Sequence, residues 1–155
     1  MDSTDPHDFD RFVEAQSANY TQALAELRAG AKRSHWMWYV FPQFEGLGRS
    51  AMAQRFAIRS LAEAREYLRH PVLGPRLVES AEALLEVQGP SAQEILGSVD
   101  ALKLRSSATL FAHVTSAGSV FHHLLDRYYG GAPDPRTLEL IEAAELYGPA
   151  AEREA

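Results

Sequence analysis

The sequence predicts an all-α fold, a single compact multi-helix domain with a central aromatic segment, and three observations support this prediction. The chain has 155 residues, of which 46% are apolar and 10% aromatic, enough to bury one substantial core. Along most of its length the apolar residues recur every three or four positions, which is the period of an α-helix. Serine, aspartate, glycine and proline stand at the spacings where helices begin and end. About seven helices follow from these signals.

The first predicted helix follows a flexible arm, residues 1–8. Asp8 is its expected N-cap and Gly30 its expected end, because these residue types suit those positions. Its inward-facing row is Phe9, Phe12, Val13, Tyr20, Ala23, Leu24 and Leu27. Its solvent-facing side carries Arg11, Gln22, Glu26 and Arg28. This pattern predicts a helix of roughly 20 residues that covers the core.

An aromatic segment, residues 36–41, comes next and holds both tryptophans of the chain. Its composition suits a buried strand, but a run this short has no readable period. Pro42 disfavours helical geometry at Phe41. We therefore expect an extended or irregular buried chain here, with at most one helical turn.

Capping residues and prolines predict where the helices in the middle of the chain begin and end. Ser50 is expected to cap a short helix that reaches Ile58. Ser60 and Glu63 form a capping box, and the helix that they begin ends before Pro71. That proline is expected at the first position of the next helix, where its missing N–H costs nothing.

The last third of the chain has equally clear helix starts. Ser91 with Glu94 forms a second capping box, and Asp134 is an N-cap followed by Pro135. Between them lies a helix whose predicted inward row is Leu102, Leu104, Leu110, Phe111 and Val114. The final helix has a predicted inward row of Leu138, Ile141, Ala144 and Leu146.

Composition and charge exclude several classes of function. We expect one domain over residues 9–147 and a frayed tail over 148–155. The net charge of −6 gives no electrostatic footprint for duplex DNA, and the absence of cysteine excludes disulfides and cysteine metal sites. No apolar run approaches the ~20 residues that span a bilayer. The acidic N-terminus lacks the apolar core of a signal peptide, so we expect a cytoplasmic protein without membrane contact.

The aromatic segment is the leading site candidate because polar groups frame it. Ser34 and His35 precede it and Gln43 follows it. His35 could titrate near neutral pH, while the faces of Trp36 and Trp38 could stack on a planar ligand. The competing interpretation is that these rings are core anchors and that His35 bonds to a backbone carbonyl.

Cationic residues near this segment and on a later helix suit a phosphate or carboxylate group. Lys32 and Arg49 flank the segment, and Lys103 shares one helical face with Ser106 and Ser107. The alternative is a solvated face whose serines bond to helix carbonyls. The residues expected to bind a ligand are Lys32, Ser34, Trp36, Trp38, Tyr39, Gln43, Arg49, Lys103, Ser106, Ser107 and Thr109.

Acid–base groups are less well specified by the sequence. The candidates are Glu14 or Asp100 as a general base, if buried beside the aromatic segment, together with His35. Cap and surface roles are the favoured interpretation for both carboxylates. His122 and His123 are adjacent, so on a helix they diverge by ~100° and cannot face one ion. We expect no metal site and no cofactor.

The segment Lys32–Gln43, continued by Gly46–Ser50, resembles the bacterial family catalogued as domain of unknown function 1810. The resemblance extends through Tyr67–Gly74, Asp100–Phe111 and Gly131–Leu138. It implies a compact helical fold and no settled activity, and the name calpastatin, often given to such proteins, has no support in these motifs. The order of parts is also similar to a helical N-glycosidase family linked to ADP-ribose and riboflavin metabolism, from which no catalytic residue is carried over.

These patterns favour a small-molecule site between residues 34–43 and the helix face 103–109, for an anionic, nucleotide-like or ADP-ribose-like ligand. Its most specific form is an N-glycosidase-like enzyme. The alternative is a non-catalytic interaction module whose exposed aromatics anchor a protein partner. The site hypothesis requires Trp36 or Trp38 to line one concave pocket with His35 and Lys103. The sequence indicates no oligomeric state.

Overall fold

A computed structural model of the protein describes residues 5–148. Within that range the chain folds into nine helices without a strand, so the predicted all-α single domain is confirmed. The helices are α1 (Asp10–Ala29), α2 (Met37–Val40), α3 (Ala51–Arg55), α4 (Leu61–Arg69), α5 (Leu73–Glu86), α6 (Ala92–Leu96), α7 (Ser98–His113), α8 (Val120–Tyr129) and α9 (Pro135–Tyr147). None of these helices has the length and apolar character that crossing a membrane requires.

The start of α1 differs from the prediction. Asp8 adopts a left-handed backbone conformation (φ 51°) and does not cap the helix. The carboxylate of Asp5 does so instead, accepting the N–H groups of Phe9 and Asp10 at 2.7 and 3.0 Å. Residues 5–8 of the predicted arm therefore form a hydrogen-bonded turn. Residues 1–4, and all of the predicted tail except Gly148, lie outside the described range.

The aromatic segment is buried and irregular, as predicted, and its one helical turn is α2. The backbone leaves helical geometry at Phe41 (φ −124°, ψ 79°), directly before Pro42. α2 packs against α1 and α5, which places the segment at the centre of the core.

A single parallel bridge between Phe44 and Ile58 holds the chain that follows the aromatic segment. The N–H of Ile58 donates to the carbonyl of Gln43, and the N–H of Glu45 donates to the carbonyl of Ile58, both at 2.9 Å. This pairing explains why α3 ends at Arg55 and does not reach Ile58, since the bridge requires extended backbone.

Two of the predicted helix starts are confirmed in detail. Ser91 and Glu94 make both hydrogen bonds of the capping box, at 3.0 and 3.1 Å. Asp134 accepts the N–H of Thr137 at 3.2 Å, and Pro135 is the first residue of α9.

Two other predicted starts need correction. Ser60 accepts the N–H of Glu63 at 3.0 Å, but the Glu63 carboxylate turns to the N–H of Arg59 at 2.7 Å, so this box is half made. Pro71 is not helical, because α5 begins two residues later. The reason is the ring of His70, whose Nδ1 accepts the N–H groups at the start of α5 and holds Pro71 in a turn.

α7 is the central helix and packs against α4, α6, α8 and α9. Its buried side includes Leu104 and Phe111, both fully inaccessible to solvent. The prediction that Leu102 points inward is wrong, because its side chain is 65% exposed. Leu102 lies about 100° around the helix from the buried Ala101, which turns it away from the core. The same correction applies to Leu146 on α9.

Candidate functional site

The loop before the aromatic segment is organised by Glu26, near the end of α1. Its carboxylate accepts hydrogen bonds from the N–H groups of Arg33 and Ser34, at 2.7 and 3.0 Å, from the Ser34 hydroxyl, and from Trp36 Nε1 at 2.9 Å. Burial alone would raise the pKa of Glu26, but these hydrogen bonds outweigh it and lower the pKa to about 2. The prediction that Glu26 faces solvent is therefore wrong, since its side chain is buried.

Asp100, at the start of α7, bridges two lysines. Its Oδ2 lies 2.9 Å from Lys32 Nζ and its Oδ1 lies 3.3 Å from Lys103 Nζ. Lys32 Nζ also donates to the carbonyl of Ser34 at 2.6 Å. The bridge joins the loop before the aromatic segment to α7, so the two predicted parts of the site do converge here.

Each lysine of this bridge also covers one tryptophan. Lys32 Nζ lies 5.1 Å from the ring centre of Trp36, and Lys103 Nζ lies 5.0 Å from that of Trp38. Such distances allow cation–π attraction. Trp36 is buried and fits the core-anchor interpretation, whereas Trp38 is half-buried and keeps part of its ring accessible.

His35 and Tyr39 are placed differently from each other. The His35 side chain is exposed, and it is the His35 backbone carbonyl that accepts a bond from the Tyr39 hydroxyl at 3.3 Å. Tyr39 is buried, and its hydroxyl accepts from the Asn19 amide at 2.8 Å. Burial raises the pKa of Tyr39, partly opposed by this hydrogen bond. Tyr39 therefore helps to hold the segment against α1.

A cleft of about 300 Å³ opens between α7, the loop after the aromatic segment and the start of α9, and is called the α7 cleft below. Three of the predicted ligand-binding residues line it: Gln43, Lys103 and Ser106. Val99 and Leu102 form an apolar part of its wall, and each is 65% exposed. Neither was predicted as a site residue, because a helical pattern alone does not reveal which apolar side chain lacks a neighbour.

Two hydroxyl groups of α7, those of Ser106 and Thr109, form hydrogen bonds with the turn before α9. Ser106 Oγ lies 3.0 Å from Asp134 Oδ2 and 3.1 Å from the carbonyl of Leu102. Thr109 Oγ1 accepts the N–H of Asp134 and donates to the carbonyl of Arg105, both at 2.8 Å. These hydroxyls are occupied within the protein.

Arg105 also forms hydrogen bonds with the turn before α9, whereas several residues predicted for the site lie away from the α7 cleft. The Arg105 guanidinium donates to the carbonyls of Ala132 and Pro133 at 3.0 and 2.9 Å. Ser107 is buried in α7. Glu14 and Arg49 are exposed, and neither lines the α7 cleft.

The α7 cleft does not unite the aromatic segment, His35 and Lys103 in one pocket, because neither tryptophan lines it. Lys103 lines the α7 cleft and touches Trp38, but His35 does not line this cleft. Ser34 is held by Glu26 and by the Gln22 amide, which lies 2.9 Å from its hydroxyl. Among residues 5–148, no three His, Cys, Asp or Glu side chains are grouped so that they could hold a metal ion.

Comparison with known proteins agrees with the motif resemblance. A family model described as "Protein of unknown function (DUF1810)" matches residues 6–141. The fold is similar to the crystal structure of the conserved hypothetical protein Rv1873 from Mycobacterium tuberculosis, with a TM-score of 0.87 and 54% sequence identity. The match covers 89% of this chain and 99% of that one. No curated protein matches the chain. This chain therefore belongs to the DUF1810 family of proteins of unknown function.

Proposed function

We propose that the protein binds a small organic anion that carries a planar ring, of the nucleotide or ADP-ribose type, in the α7 cleft. The single observation that supports this most strongly is the position of Lys103. This residue lines the cleft, and its ammonium group lies against the ring of Trp38, which is itself outside the lining. An ammonium group held in place on an aromatic ring at the edge of a cleft is positioned to bind a phosphate group there.

The charge of the cleft supports an anionic ligand. The chain as a whole carries a net charge of −6. Among the described residues that line the cleft, however, three are cations, Lys103, Arg105 and Arg136, and one is a carboxylate, Asp134. Lys103 and Arg136 are paired with carboxylates outside the lining, Asp100 and Glu139. Asp134 is occupied as the cap of α9, and the carbonyl partners of Arg105 leave its charge uncompensated. The lining therefore offers an anion the uncompensated charge of Arg105 and the ammonium group of Lys103, which makes no hydrogen bond among residues 5–148.

The apolar wall of the α7 cleft and the side-chain amide of Gln43 favour an organic ligand over an inorganic anion. Isolated exposed leucines are common on protein surfaces. Val99 and Leu102, in contrast, lie together on the wall that also carries Lys103. Gln43 lines the same cleft, and its side-chain amide forms no hydrogen bond with any residue in the described range. It can therefore read a polar edge of the ligand.

The carboxylates favour binding over glycosidic hydrolysis. Glycoside hydrolysis uses two carboxyl groups that flank the bond to be cleaved. Asp134 is the one carboxylate among the described lining residues, and both oxygens of Asp100 face lysines. Glu14 and His35 lie outside the lining. The N-glycosidase-like form of the hypothesis gains no support from this geometry.

The interaction-module alternative is also less favoured. It requires the aromatic segment to offer exposed rings, but Trp36 is 1% and Tyr39 is 5% exposed. Trp38 is half-buried beneath Lys103. The segment therefore has no flat aromatic patch for a protein partner.

The test is a titration of the protein with ADP-ribose, AMP and uncharged adenosine, followed by calorimetry and by thermal unfolding. We expect the two anions to bind more tightly than adenosine and to raise the melting temperature through linkage. Lys103→Gln should weaken anion binding by about 10- to 100-fold, because it removes a charge-assisted hydrogen bond of about 1.5–3 kcal/mol.

The matched control is Arg28→Gln, which removes one positive charge from an exposed ion pair with Glu79 on α1 and α5. It should leave the affinity within about twofold of that of the unmodified protein, because Arg28 does not line the α7 cleft and solvent screens its charge. Absence of binding by every compound, or equal losses in the two variants, would exclude the proposal.

A further inference from the structure

A second cavity, of about 560 Å³, lies between residues 5–10 and the end of α4 and is called the N-terminal cavity below. Its lining includes two imidazoles, His7 and His70, on either side of the buried Phe9 in sequence and in contact with it. The ring centres of His7 and Phe9 are 5.3 Å apart, and those of Phe9 and His70 are 5.8 Å apart. The cavity thus has an aromatic floor with two titratable groups beside it.

The hydrogen bonds of the His70 ring show that its Nε2 is a hydrogen-bond donor. Its Nδ1 accepts the N–H groups of Val72 and Leu73 at 3.1 and 3.2 Å. A nitrogen that accepts two N–H groups carries no proton, so the ring proton is on Nε2. His70 is therefore a fixed hydrogen-bond donor, and His7 is the imidazole of this cavity that can act as an acceptor.

His7 is backed by a buried carboxylate. Its Nδ1 lies 3.7 Å from Oε1 of Glu63, whose side chain is 4% exposed. Arg11 Nη2 lies 3.9 Å from the same oxygen, while the other oxygen accepts the N–H of Arg59 at 2.7 Å. Within residues 5–148 no donor reaches Oε1 within hydrogen-bonding distance.

The contact with Glu63 places Nδ1 of His7 on the side of the carboxylate, at 3.7 Å, which is longer than a hydrogen bond. With Nδ1 toward Glu63, the opposite edge of the ring, which carries Nε2, faces away from the buried carboxylate. His7 itself lines the cavity. Burial raises the pKa of Glu63, and the N–H of Arg59 and the charge of Arg11 partly offset this effect. Nε2 of His7 makes no hydrogen bond among residues 5–148 and is available to whatever occupies the cavity.

The charge of the N-terminal cavity is opposite to that of the α7 cleft. Among the described lining residues, Arg69 is paired with Glu66 at 2.7 Å, which leaves the carboxylates of Asp5 and Asp10 without a cation in the lining. The charge of Arg11, which lies behind His7, is balanced by Glu63. An acidic rim above an aromatic floor attracts a cation and allows cation–π contact.

We propose that the N-terminal cavity binds a small primary amine as its ammonium ion, with His7 Nε2 accepting a hydrogen bond from it and with Glu63 positioning the His7 ring. The acidic rim supplies the attraction, and Phe9 supplies the apolar contact. This site is independent of the α7 cleft and of its anionic ligand.

The test is an NMR titration of the ¹⁵N-labelled protein with propylammonium chloride. Sodium propionate at equal ionic strength is the control, because it has a similar chain and the opposite charge. We expect saturable shifts of the backbone amides of residues 5–10 and 66–73 with the amine and none with propionate. Shifts that never saturate, that spread over the acidic surface, or that propionate reproduces would overturn the proposal.

Three variants localise the binding. His7→Asn keeps an amide near the Nδ1 position but removes Nε2, so it should weaken amine binding by about tenfold or more. Glu66→Gln lowers the negative charge of the rim and should weaken binding by about two- to fivefold. His123→Asn, at an exposed histidine of α8, is the matched control and should not change the affinity. Unchanged binding in His7→Asn contradicts the assignment.

Glu63→Gln tests the positioning role separately. The ¹⁵N shifts of the His7 ring report which nitrogen carries the proton, and these should change in the variant even where the affinity falls little. Unchanged ring shifts in a folded variant would remove Glu63 from the proposal. If the variant does not fold, His7→Asn and its control decide the outcome alone.

Discussion

Glu26→Gln is expected to destabilise the protein strongly at neutral pH and much less in acid. The carboxylate accepts hydrogen bonds from residues 33, 34 and 36 on both of its oxygens. Glutamine has the same shape but offers one oxygen and one NH₂ group. The NH₂ group can face the Ser34 hydroxyl, which can turn to accept from it. The variant then loses the negative charge that strengthens the hydrogen bonds from the three N–H groups, at a cost of about 1–3 kcal/mol.

The pKa of Glu26 gives an independent magnitude. A fall from the ordinary value of 4.5 to about 2 corresponds to about 3 kcal/mol of stability at neutral pH. The carboxylate lies close to the protein surface although it is only 8% exposed, and solvent screening lowers this figure to about 2 kcal/mol. Because the folded state holds the pKa below the unfolded value, this stability is present above pH 4.5 and is lost as the pH falls toward 2.

The assay is urea denaturation followed by tryptophan fluorescence, which reports on Trp36 and Trp38 directly. The free energy of unfolding should differ between the unmodified protein and Glu26→Gln by about 2–3 kcal/mol at pH 7. At pH 3 the ionisation part of that difference should fall to less than half. Glu142→Gln, at an exposed position of α9, is the control and should lie within about 0.5 kcal/mol of the unmodified protein at both pH values.

Two results would refute this reasoning. One is a loss below about 0.5 kcal/mol at pH 7, which is the range of ordinary surface substitutions and would mean that the hydrogen bonds to the carboxylate are replaceable by water. The other is a loss of equal size at pH 3 and pH 7. That result would assign the effect to packing, since a packing contribution does not depend on the charge of Glu26.

Two further predictions test the packing. Gly74→Ala should cost about 3 kcal/mol or prevent folding, because the added Cβ would lie 2.1 Å from the carbonyl oxygen of Leu68, and thermal unfolding followed by circular dichroism measures the loss. Leu104→Ala, at a fully buried position of α7, should cost about 2–5 kcal/mol, whereas Leu102→Ala should cost less than about 0.5 kcal/mol; equal losses in these two variants would contradict the burial pattern.

Features that depend on a few neighbouring residues were predictable from the sequence. The Ser91 box and the Asp134 cap each involve residues no more than three positions apart, so the residue types alone specify them. The prediction that Pro71 begins a helix was wrong for a reason that also involves only neighbouring residues, but a less common one. A histidine ring took the role of the cap, and no sequence rule lists His70 among the usual caps.

Features that depend on distant partners were predictable only in part. The polar composition around the aromatic segment indicated correctly that α7 approaches it at Lys103. The same reasoning could not show that Asp134, 28 residues away, engages Ser106. Nor could it show that Glu26 turns inward, because a carboxylate in a helical pattern is assigned to solvent unless its donors are known.

The geometry of the Asp100 bridge distinguishes its two lysines. Buried ion pairs add little net stability, because desolvation offsets their attraction, so the bridge acts mainly by fixing positions. An ammonium group has three donors. Both lysines form an ion pair with Asp100, but Lys32 also donates to the carbonyl of Ser34, whereas Lys103 makes no hydrogen bond among residues 5–148. Lys103 is therefore held at the α7 cleft with donors still available, and it is the lysine of this pair that an anionic ligand can engage.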